Sequence, residues 1–170
     1  IGAVMLSKRH RLGFAAFYDI LAETTTRVMP VVAACAAAGL VVGGLSMTGL
    51  GAKVTELIFL IAGSEPLATL ALAAIITLLL GMGMPTPSVY ILAAVLIAPS
   101  ILKLGVPMMA AHLFLVYYAS LSAMTPPVAV AAFAAAPIAL ANLVKIGFAA
   151  VRIAIVAFVV PFAFVYSGEL

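Results

Sequence analysis

Leu80-Gly81-Met82-Gly83-Met84-Pro85-Thr86-Pro87-Ser88 and, further on, Ser120-Leu121-Ser122-Ala123-Met124-Thr125-Pro126-Pro127 interrupt sequence that is otherwise strongly apolar. The first lies between Pro66–Leu80, 15 residues, and Val89–Leu102, 14 residues. At about 1.5 Å per residue each arm reaches only ~20 to 23 Å, short of a hydrocarbon core of roughly 30 Å. A single kinked helix over all 37 residues would be too long, so the segment predicts a re-entrant hairpin with its tip at the break. The second interruption divides Pro107–Tyr118 from Val128–Leu140 and predicts a discontinuous helix, because Pro126 and Pro127 lack amide hydrogens and disfavour helical backbone before them. Lipid offers no hydrogen bonds to bared backbone, so such breaks persist at membrane depth only where protein or a cavity surrounds them. Either cluster alone also fits a simple kink or an interfacial turn.

Outward from the breaks, composition fixes the solvent. The 170 residues are 67% apolar and 8% charged, with mean hydropathy +1.38, which implies an integral membrane protein. The net charge of +3 comes from basic residues that are scattered or beside apolar runs; it fits loop topology and gives no reason to expect a nucleic-acid partner. Residues 1–27 form an amphipathic segment: Lys8, Arg9, Arg11, Asp19, Glu23 and Arg27 interleave with Leu12, Phe14, Phe17, Ile20 and Leu21 at helical spacing. An interfacial helix and a solvated linker helix both satisfy that pattern. The membrane transport domain is expected over 28–170, opening with a charge-free span of 23 residues, Val28–Leu50. A short surface helix follows at 53–64, and Ile146–Tyr166 is expected as a second full span, with Arg152 reaching for the cytoplasmic interface. Cations before Val28 and at Lys145 and Arg152 place the N-terminus in the cytoplasm, and counting crossings then leaves the C-terminus outside. The chain opens at Ile1 with no signal-peptide pattern, which suggests a piece of a longer protein.

Several ordered motifs carry a resemblance: Gly81-Met82-Gly83-Met84-Pro85-Thr86, Leu96-Ile97-Ala98-Pro99, Leu104-Gly105-Val106-Pro107, Ala110-Ala111-His112-Leu113-Phe114 and Thr125-Pro126-Pro127-Val128-Ala129. From about Ala22 to the end the chain resembles the C-terminal half of the large permease of TRAP transporters, most closely the fused permeases that work with TAXI-type binding proteins. The resemblance implies an all-α fold, the second inverted repeat of an elevator-type secondary transporter in a bacterial or archaeal cytoplasmic membrane. It further implies sodium-coupled import of organic acids, an extracytoplasmic substrate-binding protein as partner, and a first repeat in a missing N-terminal half. Dicarboxylate-type members tend to carry an acidic residue after Gly-Met-x-Met; this chain has Pro85, so no carboxylate ion ligand carries over.

The residues themselves narrow the chemistry. No Asp or Glu lies between Pro66 and Gly168, which excludes a carboxylate proton relay or an acid/base pair there. A cation at the breaks would need neutral oxygens, and hard sodium accepts carbonyls and hydroxyls. Gly81, Gly83, Thr86, Ser122, Met124, Thr125 and Pro126 are the expected cation-binding positions, with no cofactor beyond sodium ions and no enzymatic activity. Pro85, Ser88, Pro127 and His112 are the expected substrate-binding positions, because helix N-termini beyond the breaks favour an anion. His112 fits equally a hydrogen-bonded packing residue. Tyr117 and Tyr118 suit either a substrate path or interface anchors. Met82 and Met84 fit an adaptable wall or plain filler, and Cys35 a small packing residue. Two rival functions remain: another hairpin-built ion-coupled anion transporter or antiporter, and a channel or non-transporting membrane subunit.

Overall fold

The computed structural model describes residues 13–63 and 65–167, and every regular element among them is helical. The chain divides into two units, Ile1–Ala33 and Ala34–Leu170. Of the first unit the described part is the opening of α1, Phe14–Thr48. The boundary expected between residues 27 and 28 is not a break: α1 runs through it for 35 residues. Local bonds explain why. Thr25 and Thr26 hydroxyls donate to the carbonyls of Leu21 and Ala22 at 2.9 and 2.8 Å, and Arg27 pairs with Glu23 one turn earlier at 2.6 Å. Pro30 therefore lies inside the helix and not in its first turn. At ~1.5 Å per residue α1 is roughly 52 Å long, more than one bilayer crossing needs. The amphipathic residues 8–12 lie outside the described residues.

In the second unit, α1 ends at Gly49, whose φ of +66° suits glycine, and α2 (Leu50–Ala62) follows. Then come α3 (Pro66–Leu80), α4 (Thr86–Leu96), α5 (Ala98–Lys103), α6 (Met108–Ser122), α7 (Val130–Ala139), α8 (Leu143–Ile153), a 3₁₀ turn at Ile155–Phe158 and α9 (Val160–Ser167). The core centres on α6, which packs against α3, α4, α5 and α9; Leu70, Ile97, Ile101, Phe114 and Leu115 are wholly buried there. Lipid tails are as apolar as leucine, so helices in a bilayer associate through close packing rather than the hydrophobic effect. Ala73, Ala93, Ala110, Ala111 and Ala119, all buried, supply the small surfaces that allow it.

Both half-length arms are present, and their bases meet: Pro66 and Leu70 line one cavity together with Leu104 to Pro107. The first arm has the expected bounds. The second is not one helix over 89–102 but two, α4 and α5, hinged at Ile97. Pro99 has no amide to give the Val95 carbonyl, and that freed oxygen faces Gly51, where an added Cβ would lie 2.9 Å from it. The broken helix also differs from expectation, since α6 continues to Ser122 before the break.

The largest departure is at the C-terminal end. The full span expected over 146–166 is split into α8 and a second segment bent from it by 68°. Pro161 lacks an amide, the Phe162 amide bonds Val159, and the Phe158 carbonyl left over accepts the Tyr118 hydroxyl at 2.5 Å. The 68° bend itself falls at Ala154, between Ile153 and Ile155, and the Tyr118 bond to Phe158 holds the segment beyond it against the core. The crossing count that placed the C-terminus outside loses its last straight span.

Candidate functional site

The two breaks meet. At the end of α3, Gly81 closes the helix through a 3.0 Å bond from its amide to the Thr77 carbonyl, and it packs directly against Ser122 at the end of α6. A Cβ at Gly81 would overlap both Ser122 Oγ and Cβ. Two residues on, Gly83 at φ +82° faces Val128 in the second break. The hairpin tip (81–85) and the segment between α6 and α7 (123–129) thus share one locus, with the second break also abutting α8. Gly147 of α8 is buried there, and a Cβ on it would come 3.0 Å from Pro126 Cγ and 3.3 Å from Ala129 Cβ.

Backbone at this locus is partly spent and partly free. Ala131 N–H donates to the Ala123 carbonyl at 2.9 Å, which ties the start of α7 across the break, and the Pro126–Pro127 peptide is cis. Among the described residues no hydrogen-bond donor reaches the carbonyls of Met82, Gly83, Met84 or Met124. The Ser122 hydroxyl donates to Ala119 O at 2.7 Å and the Thr125 hydroxyl to Leu121 O at 2.8 Å. Each hydroxyl proton is thereby committed to backbone, which leaves the oxygen lone pairs as acceptors.

The anion side is thinner than the sequence suggested. At the start of α4, Pro87 has no amide, and the Ser88 and Val89 amides bond back to the Pro85 carbonyl at 3.0 and 3.2 Å. Only the Thr86 amide is left of the first helical donors. The buried Ser88 hydroxyl turns to Cys35 Sγ at 3.6 Å. His112 is apart from the tips: it lies ten residues before Ser122 on α6, roughly 15 Å along the axis. There its Nδ1 meets the Tyr90 hydroxyl of α4 at 3.0 Å, so its visible role is to join the second arm to α6. Tyr117 and Tyr118 separate by face. Tyr118 is buried against the C-terminal bend, whereas Tyr117, Ser120, Leu121 and Met124 border a groove of about 380 Å³ that begins beside the second break.

Of the positions expected from sequence, Gly81, Gly83, Ser122 and Thr125 lie at the joined breaks, whereas the close approaches at Gly51 and Gly147 were not anticipated. Gly147 had a signal, an isolated glycine between Lys145 and Arg152 in a helical run, and such a glycine marks close approach.

An all-helical chain suited to lipid, with its two interior helix breaks joined at one point, defines the class of membrane permeases. The chain belongs to the DctM component family of the tripartite ATP-independent periplasmic transporters, whose model matches residues 1–170. The match confirms the resemblance to a TRAP permease and extends it ahead of Ala22, to the first residue. Neither the curated proteins nor the solved structures yield a match to the chain. The family moves solutes across the membrane and normally works with a substrate-binding protein and a small permease.

Proposed function

We propose that this chain carries the coupling-ion and substrate tips of a sodium-driven importer of organic acid anions in a cytoplasmic membrane. In this reading the N-terminus is cytoplasmic and an extracytoplasmic binding protein delivers substrate. The observation that carries the reading is the apposition of Gly81 with Ser122. It joins the two breaks, one holding the donor-free carbonyls of Met82, Gly83 and Met84, the other that of Met124 and the hydroxyl oxygens of Ser122 and Thr125. Neutral oxygens without carboxylates suit a hard monovalent cation held loosely enough to be released, and they suit soft transition metals poorly. The Thr86 amide and the positive end of α4 are the donors left for a substrate carboxylate, and a cation bound at the adjacent carbonyls would add its charge to them. Binding of each ligand is thereby linked to the other, which is the requirement for coupled transport. Alternating access follows if the hairpin α3–α5 and the broken helix move together with their tips joined.

The test is sodium binding to the intact permease in lipid nanodiscs, read as a sodium-dependent shift in thermal unfolding with potassium as control. Ser122→Ala and Thr125→Val each remove one oxygen ligand and are expected to weaken apparent sodium affinity about tenfold, in line with a charge-assisted contact of ~1.5 kcal/mol. Sodium dependence unchanged in both folded variants overturns the reading.

A further inference from the structure

Outside the two breaks, α8 and the bend after it form a concave, mainly apolar groove of about 570 Å³. Val144, Phe148 and Ile155 line it, all exposed, and Lys145 and Arg152 border it from the same face. The spacing is helical, with the two cations seven residues apart, two turns or roughly 10 Å along the helix. The 68° bend swings Ile155 round to close one end, so the concavity is a product of the break and not of a straight helix. Among the described residues neither cation has a counterion. No Asp or Glu occurs between Pro66 and Gly168, and the one ion pair among the described residues joins Arg27 to Glu23.

We propose that this groove is a binding site for an anionic phospholipid, with the phosphate held by Lys145 and Arg152 and an acyl chain lying against Val144, Phe148 and Ile155. The occupant must satisfy two demands at once. Exposed apolar side chains of this size call for hydrocarbon, and two cations beside them without a counterion among the described residues call for an anion at the membrane surface. A soluble anion meets only the second demand and a neutral lipid only the first. An anionic phospholipid meets both. The α8 helix is amphipathic, with Asn142 capping its start through a 2.9 Å bond to the Val144 amide, and this firm cap fixes the orientation of Lys145 in the first turn.

The test is lipid binding to the intact permease in neutral detergent, followed by native mass spectrometry with phosphatidylglycerol and phosphatidylcholine of identical acyl chains. Phosphatidylglycerol is expected to bind the wild type roughly thirtyfold more tightly than it binds Lys145→Gln/Arg152→Gln, with phosphatidylcholine unaffected. The charge-conserving Lys145→Arg/Arg152→Lys variant is expected to retain binding, which separates charge from folding. A wild type with no preference for phosphatidylglycerol overturns the proposal, even if the neutralised variant fails to fold. So does full competition by inorganic phosphate, which would mark a free-anion site. A photo-crosslinker at Phe148 that captures protein and no lipid, showing the groove covered by the rest of the permease, overturns it as well.

Discussion

Gly81 is the residue on which the candidate site turns, because the contact it permits with Ser122 leaves no room for a methyl group. Gly81→Ala is expected to cost about 1 to 3 kcal/mol by overpacking, seen as a lower thermal midpoint of the purified permease. Ser122→Gly in the same chain should recover most of that loss, and a double-mutant cycle showing simple additivity would refute direct apposition. Tyr118 makes a second test at this scale. Tyr118→Phe leaves the Phe158 carbonyl without its donor and is expected to destabilise by about 1 to 3 kcal/mol. Glycine's value as a sequence signal is uneven across these residues. Gly81 and Gly83 stand in a Gly/Pro cluster and announce a break, but nothing in the chain says that a serine 41 residues later will fill the space above Gly81. Pairing across such a distance is a property of packing, which single-sequence reading does not reach.

At the scale of elements, length was the reliable guide. Arms of 15 residues that cannot cross a bilayer were legible before any coordinates, and so was the existence of both interruptions. The bend after α8 was not, for a physical reason: it falls at Ala154, where no proline or glycine interrupts the apolar run to announce it. Beyond the bend, the Phe158 carbonyl accepts the hydroxyl of Tyr118 on α6, which ties that segment to the core. The hinge in the second arm has a local cause, with Pro99 freeing the Val95 carbonyl toward Gly51. The Tyr118–Phe158 bond tethers the segment beyond the bend to the core, and removing it should let the bend open. In a Cys35→Ser background, spin labels at Val144 and Tyr166 flank the bend. Tyr118→Phe is expected to lengthen their separation by up to roughly 6 Å, the gain from opening a 68° bend between segments of ~16 and ~18 Å. An unchanged distance would show that neighbouring packing alone imposes the bend.

For the whole molecule the decisive fact is what the apolar two-thirds of the chain lacks. From Pro66 to Gly168 there is no carboxylate, so no group at the joined tips can trade a proton for substrate as an intramembrane acid would. His112 lies roughly 15 Å along α6 from Ser122 and is engaged with the Tyr90 hydroxyl, one turn into α4. The family is ATP-independent, and in the proposed reading a sodium gradient acting through the oxygens at the tips supplies the work. Uptake by the intact transporter in proteoliposomes, with its binding protein supplied outside, should accordingly follow an inward sodium gradient and be indifferent to ATP. Collapsing that gradient with a sodium ionophore is expected to lower uptake at least tenfold, toward background, and an imposed proton gradient of equal size should not restore it. Uptake sustained by protons alone would place the coupling group outside residues 66–167 and would detach the joined breaks from the energetics of transport.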